Sequence, residues 1–285
     1  AYLLERLDAL LAEHDISYLK WDHNRDLVDP GHDGGRPGVR SQTLALYRLL
    51  DELRARHPAV EIETCASGGG RVDLGVLARS DRVWASDTID PLERQHIQRW
   101  TGLLLPPELV GSHIGSGQSH TTGRRHTLAF RAATALFGHL GIEWDLTTLT
   151  TEERAALTGA ITAYKRLRPL LHTGVTVHAD DIDDSAMLHG VVSATGDEAV
   201  YAYVQLASSP TEAPVAVTLP GLRDTSRYTV RVLPVGGAAT TQQLQPPPWS
   251  STGLTLDGRS LRLVGLRLPV LHPEQALVLH VEGAT

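Results

Sequence analysis

Residues 17–25 read Ser17-Tyr18-Leu19-Lys20-Trp21-Asp22-His23-Asn24-Arg25, and the fold is decided by where this stretch changes character. Ile16 to Leu19 is an apolar run directly after a segment in which Leu3, Leu4, Leu7, Leu10 and Leu11 recur every three or four positions, the spacing of an amphipathic helix. The run then stops in Lys-Trp-Asp-His-Asn-Arg, which gathers charged and amide groups around one indole. A core strand has no structural use for such a terminus, whereas a carboxylate flanked by Lys, Trp, Asn and Arg at a strand's end suits the floor of a polar pocket. An Asp22–Arg25 ion pair closing the strand accounts for the same residues in isolation, so the rest of the chain has to decide.

Working outward, the same arrangement returns. A helical period over Ser41 to Arg56 is followed by the strand Val60 to Cys65, which runs straight into Ser67-Gly68-Gly69-Gly70-Arg71. A short helix over Val72 to Ala78 leads to a third strand, Arg82 to Ala85, which stops at Ser86-Asp87. A helix from Pro91 to Leu103, a strand over Leu109 to His113, a polar loop to Gly123, a helix from Arg125 to Phe137 and a strand from Gly141 to Trp144 continue the series. It closes in a helix from Thr150 to Leu171, with Thr151-Glu152-Glu153 as cap and acidic first turn. Strand and helix alternate with short links, as parallel βα units do. The glycines and polar residues collect after the strands, which a (β/α) barrel and a doubly wound sheet both require.

After His172-Thr173-Gly174 the period changes. Ala199 to Leu206, Val215 to Leu219, Tyr228 to Val232 and Ala276 to Val281 alternate or run apolar over strand lengths between Pro, Gly and Ser clusters. This predicts an all-β antiparallel sandwich over 174–285, separated near residue 173 from the α/β part, with Gly236 to Gly253 as a long surface loop.

Composition narrows the function. The 285 residues are 41% hydrophobic and 21% charged, enough apolar material for a packed core. A net charge of −7 carries no basic footprint, which argues against nucleic acid or an anionic membrane as partner. One cysteine, Cys65, excludes an internal disulfide. There is neither an apolar run of membrane-spanning length nor a signal-peptide pattern. The sequence opens at Ala1 and its single methionine is Met187, so an upstream segment is expected.

The chemistry rests on two acids. Asp87 follows Val83-Trp84 as Asp22 follows Leu19 to Trp21, with one strand, ending in Cys65, between them. Strands set this way in a barrel aim two carboxyl groups into one mouth, and paired carboxylates are the apparatus of glycoside hydrolysis. Asp87 also suits a helix N-cap, although Asp90, beside Pro91, suits that role better. The triple-glycine loop either cradles an anion or allows close backbone approach to a bulky ring, and it matches neither the dinucleotide fingerprint nor the P-loop. Cys65 reads as a small pocket wall. His113, His120 and His126 fit no standard metal-ligand spacing.

Lys20 to Arg25, Glu63 to Arg71, Trp84 to Asp90, Gly111-Ser112-His113 and Phe137 to Leu146 resemble, in order, the motifs of the α-galactosidases of glycoside hydrolase family 36. The likeness covers about residues 1 to 172. It implies a partial TIM (β/α)8 barrel, roughly strands 4–8, over 1–173, followed by the family's C-terminal β domain over 174–285. It implies Asp22 as nucleophile and Asp87 as general acid/base of a retaining double displacement. Lys20 and Asn24 would hydrogen-bond galactose hydroxyls, Cys65 with Ser67, Gly68 and Gly69 would wall the 2-position, and Trp84 would face the ring. Trp21, Arg25 and His113 join the substrate-binding set. Lys20 and Arg25 supply the positive charge a nucleophilic carboxylate needs beside Asp22, while Asp87, next to Trp84 and no cation, has the less polar setting of an acid/base. The implied substrates are galactosyl oligosaccharides of the melibiose or raffinose type. No cofactor or metal is implied, the location is cytoplasmic and the full-length protein a homo-oligomer.

The resemblance also implies omissions. The family's first three barrel strands and N-terminal β domain, with the groups that hold the galactose 4- and 6-hydroxyls, have no counterpart here. A fragment with little activity alone is therefore expected, with exposed apolar faces and a free edge. α-N-Acetylgalactosaminidase or galactosyl transfer activity, a non-catalytic carbohydrate-binding or assembly remnant, and a phosphate-binding enzyme built on Gly68 to Gly70 remain as alternatives.

Overall fold

The leucine spacing at the start of the chain forms helix α1 (Tyr2–Glu13), which buries Leu11 and delivers the chain to strand β1 (Tyr18–Asp22). A two-residue hairpin, β2 (Gly31–His32) and β3 (Arg36–Pro37), stands where a plain loop was expected. Helix α2 (Val39–Arg56) buries Leu50 and Leu53. Strand β4 (Glu61–Cys65), helix α3 (Leu74–Leu77) and strand β5 (Arg82–Val83) follow. The three strands pair in parallel in the order β1-β4-β5, as the βα alternation requires. This computed structural model describes residues 2–212 and 216–284. The chain divides into two compact units, one running to Asp87 and including Leu109–Gly111, the other comprising Thr88–Glu108 and the chain from Ser112 onward.

Register assigns the faces of the parallel sheet. Lys20 stands opposite Glu63 and Asp22 opposite Cys65, so these four point to one side. Leu19 and Trp21 point to the other, where Trp21 packs with Leu46 and Tyr47 against buried Leu50, Ile62 and Val76. Trp21, expected in the substrate-binding set, thus lies half-buried on the face opposite Asp22: two-residue alternation puts the neighbour of an outward Asp22 inward.

The second unit opens with helix α4 (Pro91–Thr101), capped by Asp90 with Pro91 in the first turn. Strand β6 (Gly111–Gly115) pairs with β7 (His139–Glu143), with helix α5 (Leu128–Ala135) between them. Helix α6 (Thr151–Thr173) starts from a capping box of Thr150 and Glu153, one residue earlier than expected. Strands β8 (Val175–Ala179), β9 (Ala186–Val192), β10 (Glu198–Gln205) and β11 (Arg227–Val232) come next. Helix α7 (Trp249–Thr252), β12 (Leu254–Asp257), helix α8 (Gly258–Leu263) and β13 (Gln275–Gly283) complete the chain.

Among the described residues the antiparallel part is one six-stranded sheet, order β12-β11-β13-β10-β9-β8, rather than the two facing sheets of a sandwich. The apolar runs in β10 and β13 arise because both faces are covered. Val200, Ala202, Val204 and Val278 pack against Phe130, Leu167 and Leu171 of the helices. Ala199, Tyr201, Leu277 and Leu279 pack against Leu219, Leu261 and Leu266 on the far side. Helices do the work of the second sheet on one face, and the short helix α8 with irregular chain does it on the other. The strand expected at 215–219 reduces to a single bridge, Val217 to Leu266, and Val215 lies outside the described residues. No helix among the described residues is long and apolar enough to cross a membrane.

Candidate active site

At the C-terminal end of the parallel sheet, Asp22 closes β1 and Cys65 closes β4 as register partners. The backbone N–H of Trp84 bonds to Thr64 O at 3.0 Å, which carries the β4–β5 pairing one residue past β5. The Trp84 indole N–H donates to Asp87 Oδ1 at 3.1 Å and aims that carboxylate back over the sheet. The Cys65 thiol lies 4.0 Å from the same oxygen and also engages the Asp22 carboxylate. Burial pushes the thiol up from its ordinary value and the Asp22 contact adds to this, opposed by a Gly68 backbone bond. One neutral sulfur thus touches both acids, and both carboxylate-bearing residues are exposed.

The glycine loop is packed against the chain that carries Asp87. The N–H of Gly69 donates to Ala85 O at 3.0 Å. A Cβ at Gly68, whose φ is +81°, would fall 2.6 Å from Ser86 Cα. The glycines therefore serve close approach of one strand end to the next, and the Gly69 donor that an anion cradle would use is occupied. Ser67 is held left-handed at φ 51°, and its N–H donates to Asn24 Oδ1 at 2.7 Å. The other end of the Asn24 amide donates to Asp22 Oδ2 at 3.3 Å. Asn24, expected to bind sugar, links the loop to the acid at β1. Arg71, at the end of the glycine motif, donates to the carbonyls of His23 and of Arg25, the latter at 3.2 Å. Arg25 thereby contributes its backbone carbonyl to the site.

Lys20 sits beneath this layer. Its ammonium is 3.6 Å from the buried carboxylate of Glu63 and 4.8 Å from the centre of the Trp84 ring. Below it, Arg82 pairs with Glu61 at 2.8 Å and lies over the Tyr18 ring. Sequence reasoning missed Glu63, Tyr18 and Arg71. The signal was present in Glu61 and Glu63, acids at alternate positions of a strand otherwise apolar enough to be buried.

His113 belongs to the second unit, where its Nδ1 is 3.1 Å from Glu143 Oε2. His126 pairs with Glu274 at 3.1 Å. The one group of acidic and histidine ligands gathered among the described residues is Glu198, His280 and Glu282, on other elements.

The family profile described as Melibiase matches residues 1–174. The chain belongs to the melibiase family. The profile of the glycosyl hydrolase family 36 C-terminal domain matches residues 186–281. Among relatives, an α-galactosidase of Escherichia coli is 43% identical over 99% of this chain and 40% of its own length. The α-galactosidase AgaA of Geobacillus stearothermophilus is 31% identical over 83% of this chain and 33% of its own. The crystal structure of AgaA superposes with a TM-score of 0.86 at 27% identity, covering 99% of this melibiase-family chain and 38% of that one. An α-galactosidase from Lactobacillus brevis gives 0.81 at 26% identity, covering all of this chain and 38% of its own. This chain spans about two fifths or less of the length of these relatives.

Proposed function

We propose that these residues carry the catalytic centre of a retaining α-galactosidase. The observation that supports this most is the shared contact of Asp22 and Asp87 with the Cys65 thiol. Carboxyl groups that both reach one sulfur face one small space, and the retaining reading takes them to act across the separation of about 5 Å that covalent catalysis uses. Asp22 attacks the anomeric carbon as Asp87 passes its proton to the departing oxygen, giving a galactosyl ester on Asp22. Asp87 then takes a proton from water, the hydroxyl attacks the same carbon, the ester bond breaks, and galactose leaves with its α configuration kept.

Lys20 faces the sugar from below, Trp84 offers an apolar surface, and Cys65 with the Ser67-Gly68-Gly69 turn walls the 2-position. The substrate reading is supported by AgaA, which was crystallised with raffinose and with stachyose in variant forms. Residues 1–173 are read as strands 4–8 of a (β/α)8 barrel and 174–285 as the β domain after it. The earlier strands, and the groups for the 4- and 6-hydroxyls, then lie outside these 285 residues. The edge position of β1 in the parallel sheet and the exposure of Asp22 support that arrangement. A homo-oligomer in the cytoplasm belongs to the same reading.

The test is hydrolysis of an aryl α-galactoside by the chain joined to the upstream barrel strands, followed by proton NMR. α-Galactose as first product, with Asp22→Asn and Asp87→Asn folded and at least 10³-fold slower, supports the proposal. β-Galactose as first product, or active variants, would remove it.

A further inference from the structure

We propose that Glu63 is a positioning residue that fixes Lys20 beneath the sugar site, and that Gly111 lacks a side chain to make room for it. The proposal rests on the galactosidase reading for what Lys20 does, but not for the pairing itself.

Glu63 is 2% exposed, on the same face of β4 as Cys65. A buried carboxylate is costly unless charge and hydrogen bonds compensate it. Its Oε1 has no hydrogen-bond partner among the described residues, and the group facing that oxygen is the Lys20 ammonium at 3.6 Å. The Tyr18 hydroxyl bonds to the same carboxylate, and burial together with that bond pushes the phenol well above its usual value. On its other side Lys20 lies 4.8 Å above the Trp84 ring, within cation–π range. A flexible lysine with a carboxylate on one side and an indole on the other has lost most of its freedom, and this lysine lies on the same face of β1 as Asp22.

Gly111 completes the arrangement. A Cβ there would stand 2.9 Å from Trp84 Cε3 and 3.3 Å from Glu63 Oε2, so any larger residue forces apart the two groups that hold Lys20. A strand residue serving only the core would not need to be glycine at this point.

The test is a cycle of Glu63→Gln, Lys20→Met and the double variant in the chain joined to the upstream barrel strands, read as separate kcat and KM on an aryl α-galactoside. Glu63→Gln is expected to lower kcat/KM by about 10- to 100-fold, and by less than threefold when Lys20 is already Met. A loss of equal size in both backgrounds overturns the proposal, as does a fall in melting temperature with kcat/KM unchanged. An arm independent of catalysis follows the chemical shift of the ¹³C-dimethylated Lys20 amine, which lies over the Trp84 ring. The resonance is expected to move in Glu63→Gln, and an unmoved resonance overturns the pairing. A moved resonance in a protein that hydrolyses no α-galactoside sinks the galactosidase reading alone. If Glu63→Gln does not fold, Gly111→Ala is read by the same resonance, with a shift expected and no shift contradicting.

Discussion

Replacing Gly68 by alanine tests whether the glycine loop is a spacer between strand ends. At φ +81° an L side chain costs about 1–2 kcal/mol of backbone strain. The added Cβ would also sit 2.6 Å from Ser86 Cα and 3.0 Å from Ala85 O, both main-chain atoms that no rotamer change can move. Ordinary contact between carbons is about 3.5–4.0 Å, so the two strand ends must part by roughly 1 Å. Strain and overpacking together predict a loss of about 2–4 kcal/mol in urea unfolding. Ser86 precedes Asp87, so the same displacement separates one acid from the other, and an error of 1 Å at a catalytic group costs on the order of 10²-fold in rate. The assay, on the chain joined to the upstream barrel strands, pairs unfolding with kcat/KM on an aryl α-galactoside, with Gly34→Ala as control. Gly34 has φ +82° with nothing within 4 Å of an added Cβ, so it bears strain without displacement. If Gly68→Ala behaves as Gly34→Ala does, losing stability but keeping kcat/KM within about threefold, the spacer argument is wrong.

Three further outcomes are expected. Asn24→Ala should lower kcat about 10-fold or more with little change in KM, because Asn24 restrains Asp22 and Ser67; a change confined to KM would make it a sugar contact instead. Asp90→Ala should cost about 2–3 kcal/mol in urea unfolding, since it removes a fully buried cap that accepts from Leu92 and Glu93 N–H and from the Thr122 hydroxyl; a loss under 0.5 kcal/mol would contradict this. Burial, with His178 and Arg99 nearby, pulls His189 down to about 3 from 6.5. A folded value below the unfolded one gives stability that is present above pH 6.5 and lost as pH falls toward 3. His189→Leu should therefore flatten the acid limb of a melting-temperature profile between those limits, and an unchanged slope would refute the assignment.

The fold was legible where period and punctuation agreed. Parallel strands that lead to Asp22, Cys65 and, a few residues past β5, Ser86-Asp87 followed from apolar runs that break into polar residues, and the Asp90 and Thr150 region caps from their spacing. The sandwich failed because an apolar strand reports that both faces are covered, not by what. For β10 the cover is helical on one side. At the site, the acids could be found by their place at strand ends, whereas Trp21 could not be assigned a face without register. Glu63 and Arg71 act by reaching groups 43 and 48 residues away in sequence, Lys20 and the His23 carbonyl, and no local pattern carries such a pairing. Asn24 was read as a ligand contact from its place beside Asp22, and its bond from the Ser67 N–H, 43 residues away, was not legible locally.

Whether Asp22 and Asp87 act on one sugar carbon is tested most directly by trapping the covalent intermediate. A 2-deoxy-2-fluoro-α-galactosyl donor slows breakdown of the ester, and peptide mass spectrometry then locates the label. The account predicts a single fluorogalactosyl group on Asp22, accumulating further in Asp87→Ala when the leaving group needs no acid. A label on another carboxylate, or turnover with no covalent adduct at all, would contradict it.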